Sequence, residues 1–410
     1  MERLRDKAER LFTLACQAAD PALALSRALA AHPLPQPDAG GQLLVLAIGK
    51  AARPMTEALL GLLGDQPFRA LVVTNYENAK PIAGAEVLAA GHPVPDDNGA
   101  IAARMVEAAL AKASAKDRVV ALISGGGSAL LPAPVEGVSL TDKAETSRLL
   151  LGAGLDITQM NLVRQALSRL KGGGLLRAAS PAPVTAYILS DVIGDDLRVI
   201  ASGLTVAPVG SRAKARALLQ GRGLWPQLPA SVQSALQRPE ITDPLPAAHN
   251  HLIGSNRKSL EAVVAASAGT IVSDHLTGDV ADAAKMIVAA AKAAGPGCLV
   301  FGGETTVTLR GTGLGGRNQE LALRVAMDMP DLGRDWLFLS GGTDGRDGPT
   351  DAAGGVVDAG TLGRIRAAGG DPDALLANND SNRALALAGD LLITGATGTN
   401  VADVQILLLG

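Results

Sequence analysis

An unbroken apolar run, residues 119–123, passes directly into Ser-Gly-Gly-Gly-Ser at residues 124–128, and this junction limits the possible folds more than any other part of the chain. A short apolar run that is rich in valine and ends at a turn cluster predicts a strand buried on both faces. Three consecutive glycines leave the backbone free to adopt positive φ and to expose its N–H groups. At the carboxyl end of a buried strand, these amides form either a concave anion site or a tight connection without a ligand.

The same pattern, an apolar strand followed by a turn rich in Gly, Ser or Thr, recurs along the first half of the chain. We predict strands at 43–48, 71–74, 119–123 and 184–189, and helices at 54–63, 100–113 and 161–170. Almost continuously apolar strands that alternate with helices predict a parallel sheet with helices on both faces. An amphipathic helix at 2–18 and a proline-rich linker at 32–37 precede this series.

The second half continues with a helix at 257–267 and strands at 251–254, 270–273, 298–301, 305–310, 336–339 and 391–394. A chain of 410 residues is too long for one core, which favours two domains. Residues 220–249 are rich in Pro, Gln and Ala and lack a long period, so we place the boundary there. The predicted fold is two α/β domains: a Rossmann-like domain at 1–245 with a parallel sheet and helices on both faces, and a mixed-sheet α/β domain at 246–410.

Composition excludes several classes of protein. Hydrophobic residues make up 47% and charged residues 19%, so a large core is expected. The net charge is −3 with no basic tract, which argues against a nucleic-acid binder. The two cysteines, Cys16 and Cys298, lie in unrelated contexts and predict neither structural zinc nor a disulfide framework. No apolar stretch approaches the ~18 residues of a membrane span, and the N-terminus lacks a signal-peptide core, so we expect a cytoplasmic protein without membrane partners.

Several common catalytic motifs are absent. The dipeptide Gly49-Lys50 is not part of an ordinary P-loop, because Leu44 and Ala51 occupy the positions of the first glycine and the Ser/Thr. Neither HExxH nor GxSxG occurs. Residues 311–316 match the dinucleotide fingerprint GxGxxG, but the next strand carries no acidic residue at its tip to hold a ribose. Nicotinamide binding is therefore only weakly indicated.

Phosphoryl transfer fits the turns better, since it needs anion cradles, cations and a carboxylate for magnesium or the hydroxyl proton. Lys50 lies just past a strand and at a helix start, where its flexible ammonium could reach a phosphate; the alternative is a solvated lysine. Asp191 follows the strand at 184–189 and could be a general base or a metal ligand; the alternative is an N-cap or an Asx turn.

Candidates in the second half also follow strands. Glu304 comes directly after Gly302-Gly303 and could hold a metal or a ribose. Arg317 opens a helix, where the helix dipole disfavours a cation, and its guanidinium could clamp a carboxylate or phosphate. Asp344, Asp347 and Asp351 lie in a Gly-rich loop. They are either functional residues or structural residues that stabilise the loop itself. His92 is interpreted first as structural and second as a substrate contact.

Taken together, these motifs resemble the glycerate 2-kinases of the MOFRL type, some of which carry the name hydroxypyruvate reductase. The matching segments occur in the same order over most of the chain: 48–52, 91–96, 124–130, 160–164, 170–173, 190–195, 200–203, 302–307, 315–321, 342–352 and 397–403.

The resemblance implies ATP-dependent phosphorylation of D-glycerate at the 2-hydroxyl with Mg²⁺, giving 2-phosphoglycerate and ADP, in a cleft between two α/β domains. It places the family's functional lysine, aspartate and arginine on Lys50, Asp191 and Arg317. Asp191 and Glu304 are the predicted metal ligands, and the protein is expected to be a monomer or a homodimer. The predicted nucleotide contacts are Ser124, Gly125, Gly126, Gly127, Ser128, Gly303, Glu304 and Asn318.

Two other functions stay open from the sequence: an NAD(P)H-dependent hydroxypyruvate reductase and a non-catalytic binder of sugar acids or nucleotides. The chain also departs from the family pattern. Leu204 and Ala396 stand where proline is expected, and Gln165-Ala166 replaces Lys-His. These departures bear on substrate affinity and substrate choice more than on the reaction class.

Overall fold

The computed structural model describes residues 4–240 and 243–410, which form two compact units. The parallel-sheet unit contains residues 24–190 and 195–253. The mixed-sheet unit contains residues 4–23, 191–194 and 254–410. The first helix, α1 (Leu4–Ala18), belongs to the mixed-sheet unit, because its apolar face, with Ala8 and Phe12, is buried in that unit's core.

The parallel-sheet unit has six strands in the order β3-β2-β1-β4-β5-β6. Strands β1 to β5 pair in parallel, and every residue of β1 and β5 is buried. The strand order reverses between β1 and β4, as in doubly wound nucleotide-binding folds. The predicted parallel-sheet domain is confirmed. Its strands are β1 (Leu43–Ile48), β2 (Phe68–Asn75), β3 (Ala85–Ala90), β4 (Arg118–Ile123), β5 (Val184–Leu189) and β6 (Ala248–Gly254).

Helices cover this sheet and add a smaller helical core. Capping boxes begin two of them, Ser139 with Asp142 at α6 and Asp156 with Gln159 at α7, so both helices start at defined residues. The buried faces of α6, α7, α9 and α10 pack together in one apolar cluster. The helices are α2 (Pro21–Ala31), α3 (Ala52–Leu60), α4 (Asp97–Leu110), α5 (Gly127–Leu130), α6 (Leu140–Gly152), α7 (Ile157–Ala166), α8 (Gly174–Ala179), α9 (Arg212–Gly221) and α10 (Ala230–Gln237).

The mixed-sheet unit has six strands in the order β11-β10-β9-β12-β8-β7. The fully buried strand β12 pairs antiparallel with both β8 and β9, whereas β7 and β8 are parallel. The predicted mixed-sheet α/β fold is therefore confirmed. The strands are β7 (Thr270–Asp279), β8 (Gly297–Thr306), β9 (Trp336–Gly342), β10 (Gly354–Asp358), β11 (Leu391–Leu392) and β12 (Asp403–Leu409).

Two apolar clusters lie on the faces of the mixed sheet. One contains residues of α1, α11, β9 and β12, such as Phe12, Leu260 and Val404, and the other contains residues of α12 and α13 with Phe338 and Leu407. The remaining helices of the unit are α11 (Asn256–Ser267), α12 (Val280–Ala293), α13 (Arg317–Asp328), α14 (Thr361–Ala367), α15 (Pro372–Ala377) and α16 (Ser381–Ala388).

The elements differ from the sequence predictions at several places. The predicted strand at 305–310 does not form by itself, because β8 runs on through the two glycines and ends at Thr306. Strands β3, β10 and β12 were not predicted, nor were helices α2, α5, α6, α8, α9, α10, α12, α14, α15 and α16. The boundary predicted between residues 245 and 246 stays a prediction; in the structure, the two units divide at residues 253 and 254. Within residues 4–240 and 243–410, no helix is both long and apolar enough to cross a membrane.

Candidate active site

The tips of β1 and β4 lie side by side where the strand order of the parallel sheet reverses. The Ser124 amide donates to the Ile48 carbonyl at 2.9 Å, and the Lys50 amide donates to the Gly125 carbonyl at 2.9 Å. The buried Ser124 hydroxyl accepts the amide of Ala51 at 3.0 Å. Gly49 has φ +128°, and a Cβ there would lie 2.2 Å from Ser124 Oγ, so this crossing requires glycine. Ser124 therefore fixes the turn that carries Lys50.

Lys50 projects from this turn as an exposed side chain. Within the described part of the chain, its ammonium makes no hydrogen bond or ion pair, so it is available to an anionic ligand. Gly126 (φ +85°) lies against it, since a Cβ at Gly126 would be 3.2 Å from Lys50 Cγ and 3.1 Å from the His92 ring. Burial and the Lys50 charge lower the pKa of His92, while Glu77 raises it. His92 is consequently held toward its neutral form beside the lysine.

The remaining residues of the turn are enclosed by neighbours. A Cβ at Gly127 would lie 2.9 Å from Ala201 Cβ, so glycine permits close packing there. The hydroxyl of Ser128 lies 2.8 Å from that of Ser202 and accepts from Lys171 Nζ at 2.8 Å. Gly126 and Ser128 also line a cavity of about 610 Å³ within the parallel-sheet unit.

In the mixed-sheet unit, Arg317 is held by two carboxylates. Its Nε and Nη2 donate to Asp403 at 2.6 and 2.9 Å, and its Nη1 lies 3.2 Å from Glu304. Burial lowers the pKa of Arg317, but the carboxylates of Asp403, Glu304 and Asp347 together raise it by more, so the net shift is upward. Burial raises the pKa of Asp403 to about 6, against the lowering effect of Arg317. The arginine is thus fully charged, and Asp403 fixes its orientation.

Asp347 explains how a helix can begin with an arginine. Its carboxylate accepts the amides of Asn318 at 3.1 Å and Gln319 at 2.8 Å, so it satisfies two of the unpaired N–H groups at the start of α13. Burial raises the pKa of Asp347, and these amides lower it. This negative charge at the helix N-terminus offsets the cost of placing Arg317 there.

A cavity of about 750 Å³ lies beside this arginine and is lined by Ile193, Glu304, Arg317 and Asp347, among others. Glu304 is 51% exposed, whereas Asp403 is fully buried behind Arg317. Residues 191–194 follow β5 but belong to the mixed-sheet unit, so Asp191 lies in the same unit as Glu304 and Arg317. Of the residues predicted in this half, Gly303 and Asn318 do not line the cavity.

The geometry of both units matches known proteins over nearly the whole chain. The family model described as a domain of unknown function, DUF4147, matches residues 7–237, and that of the MOFRL family matches residues 297–403. The D-glycerate 2-kinase of Thermotoga maritima is 40% identical over 382 residues, which span 90% of this chain and 91% of that protein. The chain belongs to the MOFRL-type glycerate 2-kinase family.

A second relative and a solved structure agree with this assignment. The glycerate 2-kinase of Pyrococcus horikoshii is 38% identical over 390 residues, or 90% of this chain and 88% of that protein. The crystal structure of the glycerate kinase from Thermotoga maritima superposes with a TM-score of 0.92 at 37% identity, over 99% of each chain.

For a member of this kinase family, the GxGxxG spacing at residues 311–316 has a packing explanation. A Cβ at Gly311 would lie 2.3 Å from the Asn378 carbonyl, one at Gly313 would lie 2.4 Å from Asp380 Cβ, and one at Gly316 would lie 2.3 Å from Asp347 Cγ. These glycines let the loop contact residues 378–380 and Asp347. In addition, β8 and β9 are separated by β12, which is unlike the adjacent parallel strands of a dinucleotide-binding unit.

Sequence reasoning missed three charged residues that the structure places at these sites. Asp403 was part of a matching segment but was not assigned as the partner of Arg317. Lys143 and Lys171 are buried at the cavity beside Ser128. Lys171, like Asp403, was part of a matching segment but was given no role. The sequence signal for Lys143 was its position next to an apolar helix face, which is also typical of solvated lysines.

Proposed function

We propose that this protein transfers the γ-phosphoryl group of ATP to the 2-hydroxyl of D-glycerate. The observation that carries the proposal is the exposed ammonium of Lys50, which has no partner among the described residues, at the point where the parallel sheet's strand order reverses, beside a turn of three glycines. Phosphoryl transfer depends mainly on positioning and charge stabilisation, which this arrangement supplies.

Each proposed catalytic residue has a separate task. Lys50 neutralises charge on the transferring phosphoryl group. Asp191 orients the 2-hydroxyl and accepts its proton. Arg317 holds the glycerate carboxylate or the phosphoryl group, because Asp403 fixes one edge of its guanidinium while the side chain stays 33% exposed at the cavity. Ser124 to Ser128, Gly303, Glu304 and Asn318 stay predicted as nucleotide contacts, with Ser124 acting through the turn.

We infer that Mg²⁺ is the metal cofactor. The described residues contain no group of three or more His, Cys, Asp or Glu side chains arranged for a metal. Mg²⁺ at kinase sites is commonly held by one or two carboxylates together with substrate phosphates, so the exposed Glu304 with Asp191 fits this cation. When bound, Mg²⁺ would neutralise phosphate charge during transfer. A cytoplasmic setting and a monomeric or homodimeric state also stay predictions.

The test is a set of parallel assays on the purified protein. With ATP, Mg²⁺ and D-glycerate we expect ADP release. We also expect a product that enolase dehydrates to phosphoenolpyruvate without a mutase, which identifies 2-phosphoglycerate. With NADH and hydroxypyruvate we expect no oxidation of NADH. Oxidation of NADH without any ADP release would replace the kinase by a reductase. Binding of both substrates without turnover would favour the non-catalytic binder.

Lys50→Ala and Arg317→Ala test the site assignment. We expect each to lower kcat/KM, and we expect the double variant to lose less than the product of the two single losses, because residues that act in one step are non-additive. Full turnover by either single variant would remove that residue from the catalytic set.

A further inference from the structure

The cavity of about 610 Å³ in the parallel-sheet unit has an unusual charge pattern. Basic side chains enter it from α6, α7 and the segment that follows α7, and no carboxylate is among the residues that line it within the described chain. Lys143 and Arg148 come from α6, and Arg164 comes from α7. We refer to Lys143, Arg148, Arg164 and Lys171 as the basic cluster. Four basic side chains that line a cavity without a carboxylate favour an anionic ligand, which would stabilise their charged forms.

Lys143 gives the clearest evidence for a missing ligand. Its residue is only 6% exposed, and its Nζ has no hydrogen-bond partner among the described residues. Burial, followed by the charges of Arg164 and Arg169, lowers the pKa of this ammonium to about 7. A buried ammonium without a partner is costly unless a ligand satisfies it. Its three donors are therefore available to oxygen atoms that enter the cavity.

Lys171 is held in position by a chain of hydroxyl groups. Its Nζ donates to the carbonyl and hydroxyl of Ser128 at 2.7 and 2.8 Å. Ser128 in turn contacts Ser202, whose hydroxyl donates to Asn161 at 2.8 Å. Gln165 donates to the Ser202 carbonyl at 3.1 Å, so this departure from the family pattern supports the same segment. Burial, followed by the charges of Lys143 and Arg164, lowers the pKa of Lys171 well below the usual value for lysine. The arrangement therefore orients a buried amine beside the glycine turn, where an anionic ligand would stabilise its charged form.

The segment that supports Ser128 is also strained. Ala201 and Ser202 adopt positive φ of 48° and 59°, which is uncommon for residues other than glycine. Backbone strain of this kind persists where the surrounding structure requires it, often at ligand sites. Here it places the Ser202 hydroxyl between Ser128 and Asn161.

We propose that the basic cluster is a polyphosphate-binding site, in which Lys143, Arg164 and Lys171 hold the phosphate oxygens of a nucleoside triphosphate. The inference deepens the proposed kinase function and rests on it for the identity of the nucleotide. The cavity reaches Gly126, whose neighbour Lys50 is the proposed catalytic cation, so the phosphate chain would end beside Lys50.

Charge decides between a triphosphate and a carboxylate as the occupant. A triphosphate carries several negative charges and can stabilise the charged forms of the two buried lysines together with the half-buried Arg164. The single carboxylate of glycerate carries one charge, so it would leave two of these three groups without compensation. Phosphoglycerate shares the phosphate chemistry, so the experiment must separate it from the nucleotide.

The test is calorimetric binding of sodium tripolyphosphate, an ATP analogue with a non-hydrolysable γ-bond, adenosine, D-glycerate and 2-phosphoglycerate to the full-length protein. We expect Lys143→Met and Lys171→Met each to weaken the binding of tripolyphosphate and of the ATP analogue by about 10- to 100-fold. This is the range for a lost hydrogen bond to a charged group. We expect adenosine and D-glycerate to bind these variants as they bind the unaltered protein.

The matched control is Lys112→Met, which removes an exposed lysine of the same unit that does not line the cavity. Lys143→Met is expected to fold, because it removes an unpaired buried charge and retains the apolar length of the side chain. Thermal unfolding of the variant checks this directly.

A second readout is proton uptake. An anion that enters the cluster raises the pKa of Lys143, which burial and the charges of Arg164 and Arg169 otherwise lower. The other titratable groups that line the cavity are His92, Arg148 and Lys171. At pH 8, tripolyphosphate binding should therefore take up protons, measured from the heat of binding in buffers of different ionisation enthalpy. Lys143→Met should lower this uptake, whereas Lys112→Met should not.

Three results would decide against the proposal or against the function on which it rests. If Lys143→Met and Lys112→Met bind every probe equally, the cluster is not a ligand site. If Lys143→Met no longer binds 2-phosphoglycerate or D-glycerate but still binds tripolyphosphate, the cluster binds the glycerate part of the reaction and the polyphosphate assignment is wrong. If the unaltered protein lacks glycerate kinase activity while tripolyphosphate binding depends on Lys143, the proposed function fails and the polyphosphate site stands.

Discussion

At the scale of single residues, the two candidate sites use opposite electrostatic designs. Arg317 is surrounded by Asp403, Glu304 and Asp347, so its charge is compensated within the protein and its geometry is fixed. Lys143 is buried, and no carboxylate of the described chain lines its cavity. The first design orients a cation, and the second retains a cation in an unfavourable environment where an anionic ligand can stabilise it.

Replacing Arg317 by lysine tests the orienting role. Lysine keeps the charge but cannot form the two-point contact with Asp403, so we expect kcat/KM for glycerate phosphorylation to fall by roughly 10²- to 10³-fold. Steady-state kinetics of Arg317→Lys measure this loss. Arg324→Lys is the control, because Arg324 pairs with Glu320 on the same helix and does not line the cavity. Equal kcat/KM values for the two variants would contradict the orienting role.

The depressed pKa of Lys143 predicts a pH-dependent stability difference. Its pKa is about 7 in the folded protein, against 10.5 for an unperturbed lysine such as that of the unfolded chain, so the unfolded chain binds more protons between these values. The free energy of unfolding therefore rises with pH in this window, by at most about 1.4 kcal/mol per pH unit for one proton. Lys143→Met should be more stable than the unaltered protein at pH 7, and the advantage should shrink toward pH 10. Denaturant unfolding at several pH values tests this, and a constant difference would contradict it.

At the scale of elements, the site is made by strand ends and by the turns that follow them. The tip of β4 requires positive φ at Gly126, and the tip of β1 requires it at Gly49. Both requirements were visible in the sequence as glycines after apolar runs, so Lys50 and the glycine turn could be predicted. The contact between Asp403 and Arg317 could not, because it depends on the register that sets Asp403 opposite Gly303 and Gly342 in strands distant along the chain.

Gly126→Ala tests the turn after β4. The left-handed conformation costs an alanine roughly 1–2 kcal/mol, and the new Cβ would approach His92 and Lys50. We expect a loss of unfolding free energy of that size, with weaker tripolyphosphate binding. Gly152→Ala at the end of α6 is the control, since it has open space and no positive φ, and it should be neutral or slightly stabilising. Similar effects of the two substitutions would contradict the role of the turn.

At the scale of the whole molecule, position along the chain does not determine which core a residue joins. Residues 4–23 and 191–194 belong to the mixed-sheet unit, although their chain neighbours belong to the parallel-sheet unit. The class of each sheet could be predicted from the apolar patterns, because strand burial is a local signal. The unit to which α1 belongs could not be predicted, because an amphipathic pattern shows that one helix face is buried but not which element covers it. For the same reason, the burial of Lys143 and Lys171 was not visible in the sequence around them.

Phe12→Ala tests whether α1 belongs to the mixed-sheet unit. Phe12 is fully buried in the mixed-sheet unit, so we expect its truncation to cost about 3–5 kcal/mol of unfolding free energy. Hydrogen exchange should show the lost protection in β9 and β12, while tripolyphosphate binding is retained. Leu23→Ala, at a 51% exposed leucine, should change stability by less than about 0.5 kcal/mol. Loss of protection confined to β1 and β4 would assign α1 to the other unit.

Strand β12 has a kinetic consequence for how the mixed sheet assembles. Among the described strands it alone links the pair β7–β8 to the group β9–β10–β11, and it follows β9 in the chain by about sixty residues. Until it inserts, β8 and β9 each present an unpaired edge, and such edges promote association between nascent chains. Closure of this sheet also requires contacts that are distant in sequence, which slows folding. Recovery after dilution from denaturant should therefore decline steeply with protein concentration and improve when a chaperone shields the two open edges.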